Sequence, residues 1–159
     1  MEVRKIMKND WSEIREIYQL GIDTGIATFE TSPPVEFETW VNKIDQENGF
    51  VCIRDKEILG WATLTKVSSR CSYQGVGEIS IYVHPKHQQQ LVGKTLYEAL
   101  ERSALKTGYW TLKAQLFTQN TPSKAFFEKH GFREVGIRKK IGQLHGEWID
   151  NYLYEKNFN

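Results

Sequence analysis

Apolar and polar positions alternate most clearly between Gly77 and Leu105, and the rest of the chain is organised around that stretch. Ile79, Ile81 and Val83 alternate with Ser80 and Tyr82, the period-2 pattern of a half-buried strand. His84-Pro85 ends the strand, because proline removes a ladder donor and fixes φ. After a polar turn, Val92, Leu96, Ala99, Leu100 and Leu105 recur at helical spacing. A helix entered through such a turn starts with unpaired N–H groups, which together with the helix dipole suit a phosphate. Gly93 lets a ligand approach the backbone closely. Lys94 places a positive charge in the first turn, where it opposes the dipole but favours a phosphate.

The flanking pattern predicts a mixed sheet. Glu2 to Ile6 reads as a short strand, and Asn9 or Asp10 is positioned to cap the next helix, with Glu13 in the capping-box place for Asp10. Trp11, Ile14, Ile17, Tyr18 and Ile22 keep helical spacing until Gly21 to Gly25. Gly25, Ser32, Pro33 and Pro34 mark a loop carrying Phe29 and Glu30, and a second helix is expected near Val35. Phe50 to Arg54 and Ile58 to Thr65 read as strands joined by a tight Asp55-Lys56 hairpin. A turn-rich connection over 67–77 carries Arg70 and Tyr73. Gly108 can end the long helix. Thr111 to Phe117 is a further strand, parallel to Ile79–Val83 through a right-handed crossover. Asn120 or Thr121 caps a helix that begins at Pro122, includes Phe126, Phe127 and His130, and stops at Gly131-Phe132. Arg133 to Ile141 and Trp148 to Tyr154 are the last strands, joined by GQLHGE. The expected order is β-α-α-β-β-β-α-β-α-β-β, an α/β arrangement in which about four helices flank one sheet.

Composition narrows the class. The 159 residues suit one domain, expected over 1–159, and 40% hydrophobic with 26% charged residues is the profile of a soluble globular protein. A net charge of +1 gives no electrostatic reason to expect nucleic acid or an anionic membrane as partner. Cys52 and Cys71 stand singly, with neither disulfide-framework nor metal-ligand spacing, and no metal site is expected. The N-terminus lacks a signal-peptide core and no run is long enough to span a bilayer, so a cytoplasmic protein is expected.

The turn Gln88-Gln89-Gln90-Leu91-Val92-Gly93 resembles the pyrophosphate-binding motif of the GNAT superfamily of N-acetyltransferases, Gln/Arg-x-x-Gly-x-Gly/Ala. Gln88 and Gly93 match; Leu91 stands where the family usually has glycine, which demands a local φ that suits a side chain. The segment from Asn120 to Phe132 resembles the family's Asn-x-x-(Ala/Ser)…Glu-Lys-x-Gly-Phe stretch, and the order of elements matches the GNAT fold over nearly the whole chain. ATFETSPP (27–34), RCSY (70–73), EISIYVHPKHQ (78–88) and GQLHGEWID (142–150) together resemble the phosphinothricin acetyltransferase group. That group acetylates the α-amino group of small glutamate-like amino acids, including phosphinothricin and methionine sulfoximine.

The resemblance implies acetyl-CoA as cofactor. It would be held by Tyr82 and Val83 on the strand, Gln88 to Gly93 with Lys94 and Thr95 at the helix start, and Asn120, Ser123 and Phe127 near the pantetheine arm and thiol. Many relatives carry a tyrosine at the Phe127 position that protonates the departing thiolate; here no general acid is named. A homodimer is also implied.

Acetyl transfer from a thioester to an amine needs a held cofactor, a neutral amine and a stabilised oxyanion. Glu78 shares a strand face with Ser80 and Tyr82 and matches the group's acidic base; the alternative is a strand-end carboxylate in solvent. Imidazole as a class titrates in the range of a proton acceptor, and His145 matches a catalytic histidine of the group; alone, it is an exposed loop histidine. A backbone N–H near Val83 would serve the oxyanion. Arg70 could pair with a substrate carboxylate or be a solvated loop charge, with Tyr73, Phe29 and Glu30 shaping the remaining pocket. Phe29 reads as a lid or as a loop anchor. Two rivals stay open: a CoA-binding module of this fold without efficient catalysis, and an acetyltransferase for a polyamine or protein N-terminus.

Overall fold

A computed structural model describes residues 1–158; the last position of the expected domain, 159, lies outside the described residues. In chain order the elements are β1 (Glu2–Lys5), α1 (Trp11–Asp23), α2 (Phe37–Val41), β2 (Gly49–Arg54), β3 (Glu57–Lys66), β4 (Val76–Val83), α3 (Val92–Lys106), β5 (Thr111–Phe117), α4 (Thr121–Lys129), β6 (Arg133–Leu144) and β7 (Glu147–Asn157). This is the expected order. The strands form one seven-stranded sheet, β1-β2-β3-β4-β5-β7-β6, antiparallel except for the β4–β5 pair.

Strand alternation divides the core. Leu64, Ile79, Leu112 and Ala114 point to one face and pack with Leu96, Tyr97 and Leu100 of α3 and with Phe127 and Phe132. Val51, Ile58 and Trp61 point to the other face, against Ile14 and Ile17 of α1 and Trp40 of α2. The buried stripe of α3 is Val92, Leu96, Tyr97, Leu100 and Ala104; Leu105, expected on it, is 45% exposed, one residue past the phase.

Several local expectations are corrected. Asp10 does not cap α1 through its side chain, and Glu13 does not close a box with it. Asp10 instead accepts from Met7 N–H and from both ends of the Arg4 guanidinium, while Glu13 accepts from Ile58 N–H on β3. The second helix begins at Phe37 rather than Val35, and His130 stands just past the end of α4. The last two strands are longer than expected, so GQLHGE is mostly strand and the turn is His145-Gly146 alone, with φ of 51° and 80°. Both signs are positive, as a two-residue hairpin matching strand twist requires. Asp55 and Lys56, at 51° and 68°, make the expected hairpin in the same way.

Arg4 and Asp10 tie β1 to the start of α1 through two 2.8 Å bonds, with Asp10 buried and Arg4 partly exposed. Burial pushes the Asp10 carboxyl up, but hydrogen bonds from Arg4 and from Met7 N–H, with the Arg4 charge, hold it below the usual range. A carboxyl held low contributes stability above its unfolded pKa of about 3.9 that is lost as pH falls through the folded value. Arg4→Met should therefore cost about 2–3 kcal/mol at pH 7 by urea unfolding. The gap between variant and wild type should shrink below about pH 4.

Candidate active site

The site begins where β4 and β5 part. Their parallel ladder is confined to Val76–Glu78 against Thr111–Lys113. On the other edge of β4, His84 N–H bonds Leu59 C=O, so Gly60 and Val83 form a non-hydrogen-bonded pair. Alternation then turns the N–H and C=O groups of Ile81 and Val83 away from β3, toward the gap left by β5. Unpaired backbone groups in a half-buried strand require a partner, and here they face a cleft.

The cleft's upper end is the turn before α3. Gln88, Gln89, Gln90 and Leu91 are exposed, and Val92 is buried at the foot of the helix. Leu91 takes the left-handed conformation, φ 67°, as does Gln89 at 63°. The turn thus keeps the shape a glycine favours, with a leucine in it. The first intrahelical bond is Thr95 N–H to Leu91 C=O at 2.9 Å, so the N–H groups of Val92, Gly93 and Lys94 lack intrahelical partners. The Thr95 hydroxyl donates to the same carbonyl, and the Gln90 side chain is tied to Lys86 C=O and Arg54. From those two residues, main-chain groups are what a phosphate would meet. Lys94 is exposed and 3.9 Å from Glu98.

Across the cleft, Asn120 caps α4 by accepting from Ser123 N–H at 3.3 Å, and its amide donates to Ile26 C=O at 3.3 Å. Both ends of that amide are engaged within the protein; it ties the α1–α2 loop to the start of α4. Phe127 is buried between Phe126 and Phe132 in the α3-side core. The aromatic ring nearest the α3 start is Phe126, half-buried, which a Cβ on Gly93 would meet at 3.3 Å.

The opposite face of β4 carries Glu78, Ser80 and Tyr82. Glu78 Oε1 accepts from Gln115 Nε2 at 2.6 Å, and Lys113 Nζ lies 3.5 Å away. Gln115 Oε1 in turn accepts from Asn151 Nδ2 at 3.1 Å and from Arg138. On this face of the sheet a cavity of about 210 Å³ opens between β3–β4 and the α1–α2 layer, lined by Tyr18, Thr28, Trp40, Trp61, Ser80 and Tyr82 among others but not by Glu78. Tyr82 stacks on Trp61 at 4.7 Å. Burial first, then the neighbouring Tyr18 and the charge of Glu30, push the Tyr82 hydroxyl well above its usual range, so it stays neutral. A larger, more open depression of about 450 Å³ lies between residues 42–47 and 65–66, and none of the expected site residues lines it.

The remaining expected residues disperse. Glu30 is exposed, and its charge acts on both Tyr18 and Tyr82. Phe29 packs on Phe117 at 4.6 Å beside Leu144 and Ile149, which makes it an anchor for the loop. Arg70 and Tyr73 are exposed in the β3–β4 connection, the guanidinium 5.8 Å from the tyrosine ring centre. His145 is exposed at the apex of the β6–β7 hairpin. Sequence reasoning missed Gln115, Arg138 and Asn151. One signal was present, since Lys113 and Gln115 interrupt an otherwise apolar strand at period 2.

A sheet that parts at its centre, with a helix N-terminus at the mouth of the gap, sets unpaired main-chain N–H groups where an anionic ligand such as a phosphate would bond. The chain matches the acetyltransferase (GNAT) domain family over residues 3–153 and belongs to that family. It is 31% identical to the phosphinothricin N-acetyltransferase of Alcaligenes faecalis, with 99% of this chain and 82% of that protein covered. It is 26% identical to the L-methionine sulfoximine/L-methionine sulfone acetyltransferase of Salmonella typhimurium, covering 94% and 90%. Among solved structures it superposes on a phosphinothricin acetyltransferase from Sinorhizobium meliloti in complex with acetyl-CoA, with TM-score 0.89, 26% identity and coverage of 99% and 88%. An N-acetyltransferase from Staphylococcus aureus superposes with TM-score 0.91 at 27% identity, covering 99% and 98%. The chain is thus an acetyltransferase of the GNAT family.

A side chain in the left-handed region costs about 1–2 kcal/mol, and glycine returns part of that to unfolded-state entropy. Leu91→Gly should raise unfolding free energy by up to about 1 kcal/mol in chemical denaturation. A loss of stability would show that the Leu91 side chain, 62% exposed, packs usefully after all.

Proposed function

We propose that this chain transfers the acetyl group of acetyl-CoA to the α-amino group of a small amino acid or analogue of the phosphinothricin or methionine sulfoximine type. The observation that carries this reading is the Glu78 carboxylate, at the point where β4 and β5 part and engaged through only one oxygen with Gln115 and Lys113. The names of the two relatives support the acceptor class. The solved acetyl-CoA complex supports the donor.

In this reading the N–H groups from Gln88 to Lys94 and the start of α3 bind the pyrophosphate, with Thr95 fixing the turn. Tyr82 and Val83 line the pantetheine path along β4. Asn120 and Ser123 shape its other wall, with Phe127 packed behind. The freed N–H of Val83 meets the thioester oxygen as it becomes an oxyanion. Glu78 accepts a proton from the acceptor's ammonium, directly or through water. The neutral amine then attacks the thioester carbon, the C–S bond breaks, CoA leaves as a thiolate, and the remaining excess proton on the new amide nitrogen passes to solvent or to the thiolate. Phe127 supplies no proton, and a thiol of pKa about 8.5 does not need one to depart. Phe29 anchors the acceptor loop, Glu30, Arg70 and Tyr73 form the outer rim, and His145 is a proton acceptor at the solvent edge.

Glu78→Gln should lower kcat by about 10²–10³ while leaving acetyl-CoA binding within about threefold. His145→Ala should cost less than about tenfold. Equal kcat for wild type and Glu78→Gln across pH would remove Glu78 from the mechanism. We further take the chain to be a cytoplasmic homodimer that joins through the exposed apolar side chains Ile137, Ile141 and Trp148 of the last hairpin. Light scattering should find a dimer for wild type and a monomer for Trp148→Glu. A wild-type monomer would end that assignment.

A further inference from the structure

We infer that Arg138 holds the α-carboxylate of the acceptor, with Gln115 setting its distance from Glu78; this rests on the acceptor reading given above. The four side chains concerned come from four neighbouring strands and share one face. Arg138 lies opposite Asn151, Asn151 opposite Phe117, and Gln115 is two residues from Phe117 on β5, beside Glu78 of β4.

The Gln115 carboxamide has a fixed polarity. Its nitrogen donates to the carboxylate of Glu78, and its oxygen accepts from the guanidinium of Arg138 and the amide of Asn151. An α-amino acid has the same polarity, with a nitrogen donor at one end and oxygen acceptors at the other. Its span is only slightly longer. An acceptor lying alongside Gln115 puts its amine on Glu78 and its carboxylate on Arg138. Gln115 and Lys113 both engage Glu78 Oε1, so Oε2 is the oxygen turned to the amine.

Arg138 is prepared for an anion. Its Nε donates to Asn151 Oδ1 at 3.2 Å and its Nη2 to Gln115, both neutral amides, and among the described residues it forms no ion pair. Arg4 and Arg133, by contrast, are each paired with a carboxylate, Asp10 and Glu155. A half-buried guanidinium already held in one geometry, with charge unneutralised, loses little entropy on gaining a carboxylate. An amine without a carboxylate leaves that charge unpartnered, so the site selects amino acids over simple amines. Arg70, exposed on its loop, is not fixed in this way.

The test compares methionine sulfone with its α-carboxamide as acceptors for the full-length enzyme. Arg138→Gln should lower kcat/KM for the free acid at least about 30-fold, mainly through KM, and for the amide less than about threefold. Arg138→Lys should recover part of the loss, and Arg70→Ala should produce a smaller selective effect. Equal losses on both acceptors, or a selective loss in Arg70→Ala and none in Arg138→Gln, would overturn the assignment. Where Arg138→Gln does not fold, Arg138→Lys carries the test, with about a tenfold selective loss expected. If the wild type releases no CoA with either acceptor, the acceptor reading of the site fails. Calorimetric binding of methionine sulfone, weakened by Arg138→Lys or unchanged, then decides the clamp by itself.

Discussion

The site depends on main-chain pairing that stops. β4 and β5 are held together over three residue pairs and then separate, while each stays paired along its outer edge, β4 to β3 and β5 to β7. The separation leaves backbone donors and acceptors of Ile81 and Val83 in a cleft rather than in a ladder. Buried groups of that kind are costly unless something bonds to them. The fold limits the exposed length by bridging the base of the gap with side chains. The Gln115–Glu78 bond crosses it just beyond the last ladder pair, and the Lys113–Glu78 pair reinforces it.

That bridge also aligns the two halves of the site. On one side of β4 the α3-face core positions the helix start; on the other the α1–α2 layer and its loop cover the cavity lined by Ser80 and Tyr82. The loop is fastened by Phe29 on Phe117, by Ile26 C=O on Asn120, and by Pro34 C=O and Val35 C=O, which accept from Arg15 and Trp11. Asn120 therefore joins both halves, since the same amide caps α4 and holds the α1–α2 loop. In the proposed reading a change there would be felt in both substrates, whereas a change at Arg138 or Gln115 would be local to the acceptor.

The sequence made the elements legible because alternation and helical spacing are properties of neighbouring residues. The Ile79–Val83 strand, the Asp55-Lys56 turn, the cap at Asn120 and the order of elements follow from such local rules. The misses lie where tertiary contacts compete with local ones. Asp10 meets the local requirement for a cap but bonds Arg4, and Glu13 goes to β3. Leu91 was expected to require a φ suited to a side chain; the turn imposes the left-handed one regardless, because the surrounding loop and helix fix it. Glu78 was visible through its strand face, and Gln115, Arg138 and Asn151 were not. They converge only through the β5–β7–β6 register, which no local pattern encodes.

The two sides of the cleft differ in what recognises the ligand. In the proposed reading the donor side is largely backbone: unpaired N–H groups at the start of α3 and along β4, which change little when side chains are replaced. The proposed acceptor side is side chains from β4, β5, β6 and β7, any of which a single substitution can alter. On that reading a family can keep one cofactor over wide divergence while the acceptor drifts, since backbone groups persist when side chains change. At 31% identity to a phosphinothricin acetyltransferase and 26% to a sulfoximine acetyltransferase, the shared chemistry is secured by the split strand. In the proposed reading the choice of acceptor falls to the few polar residues of this chain that bridge the split.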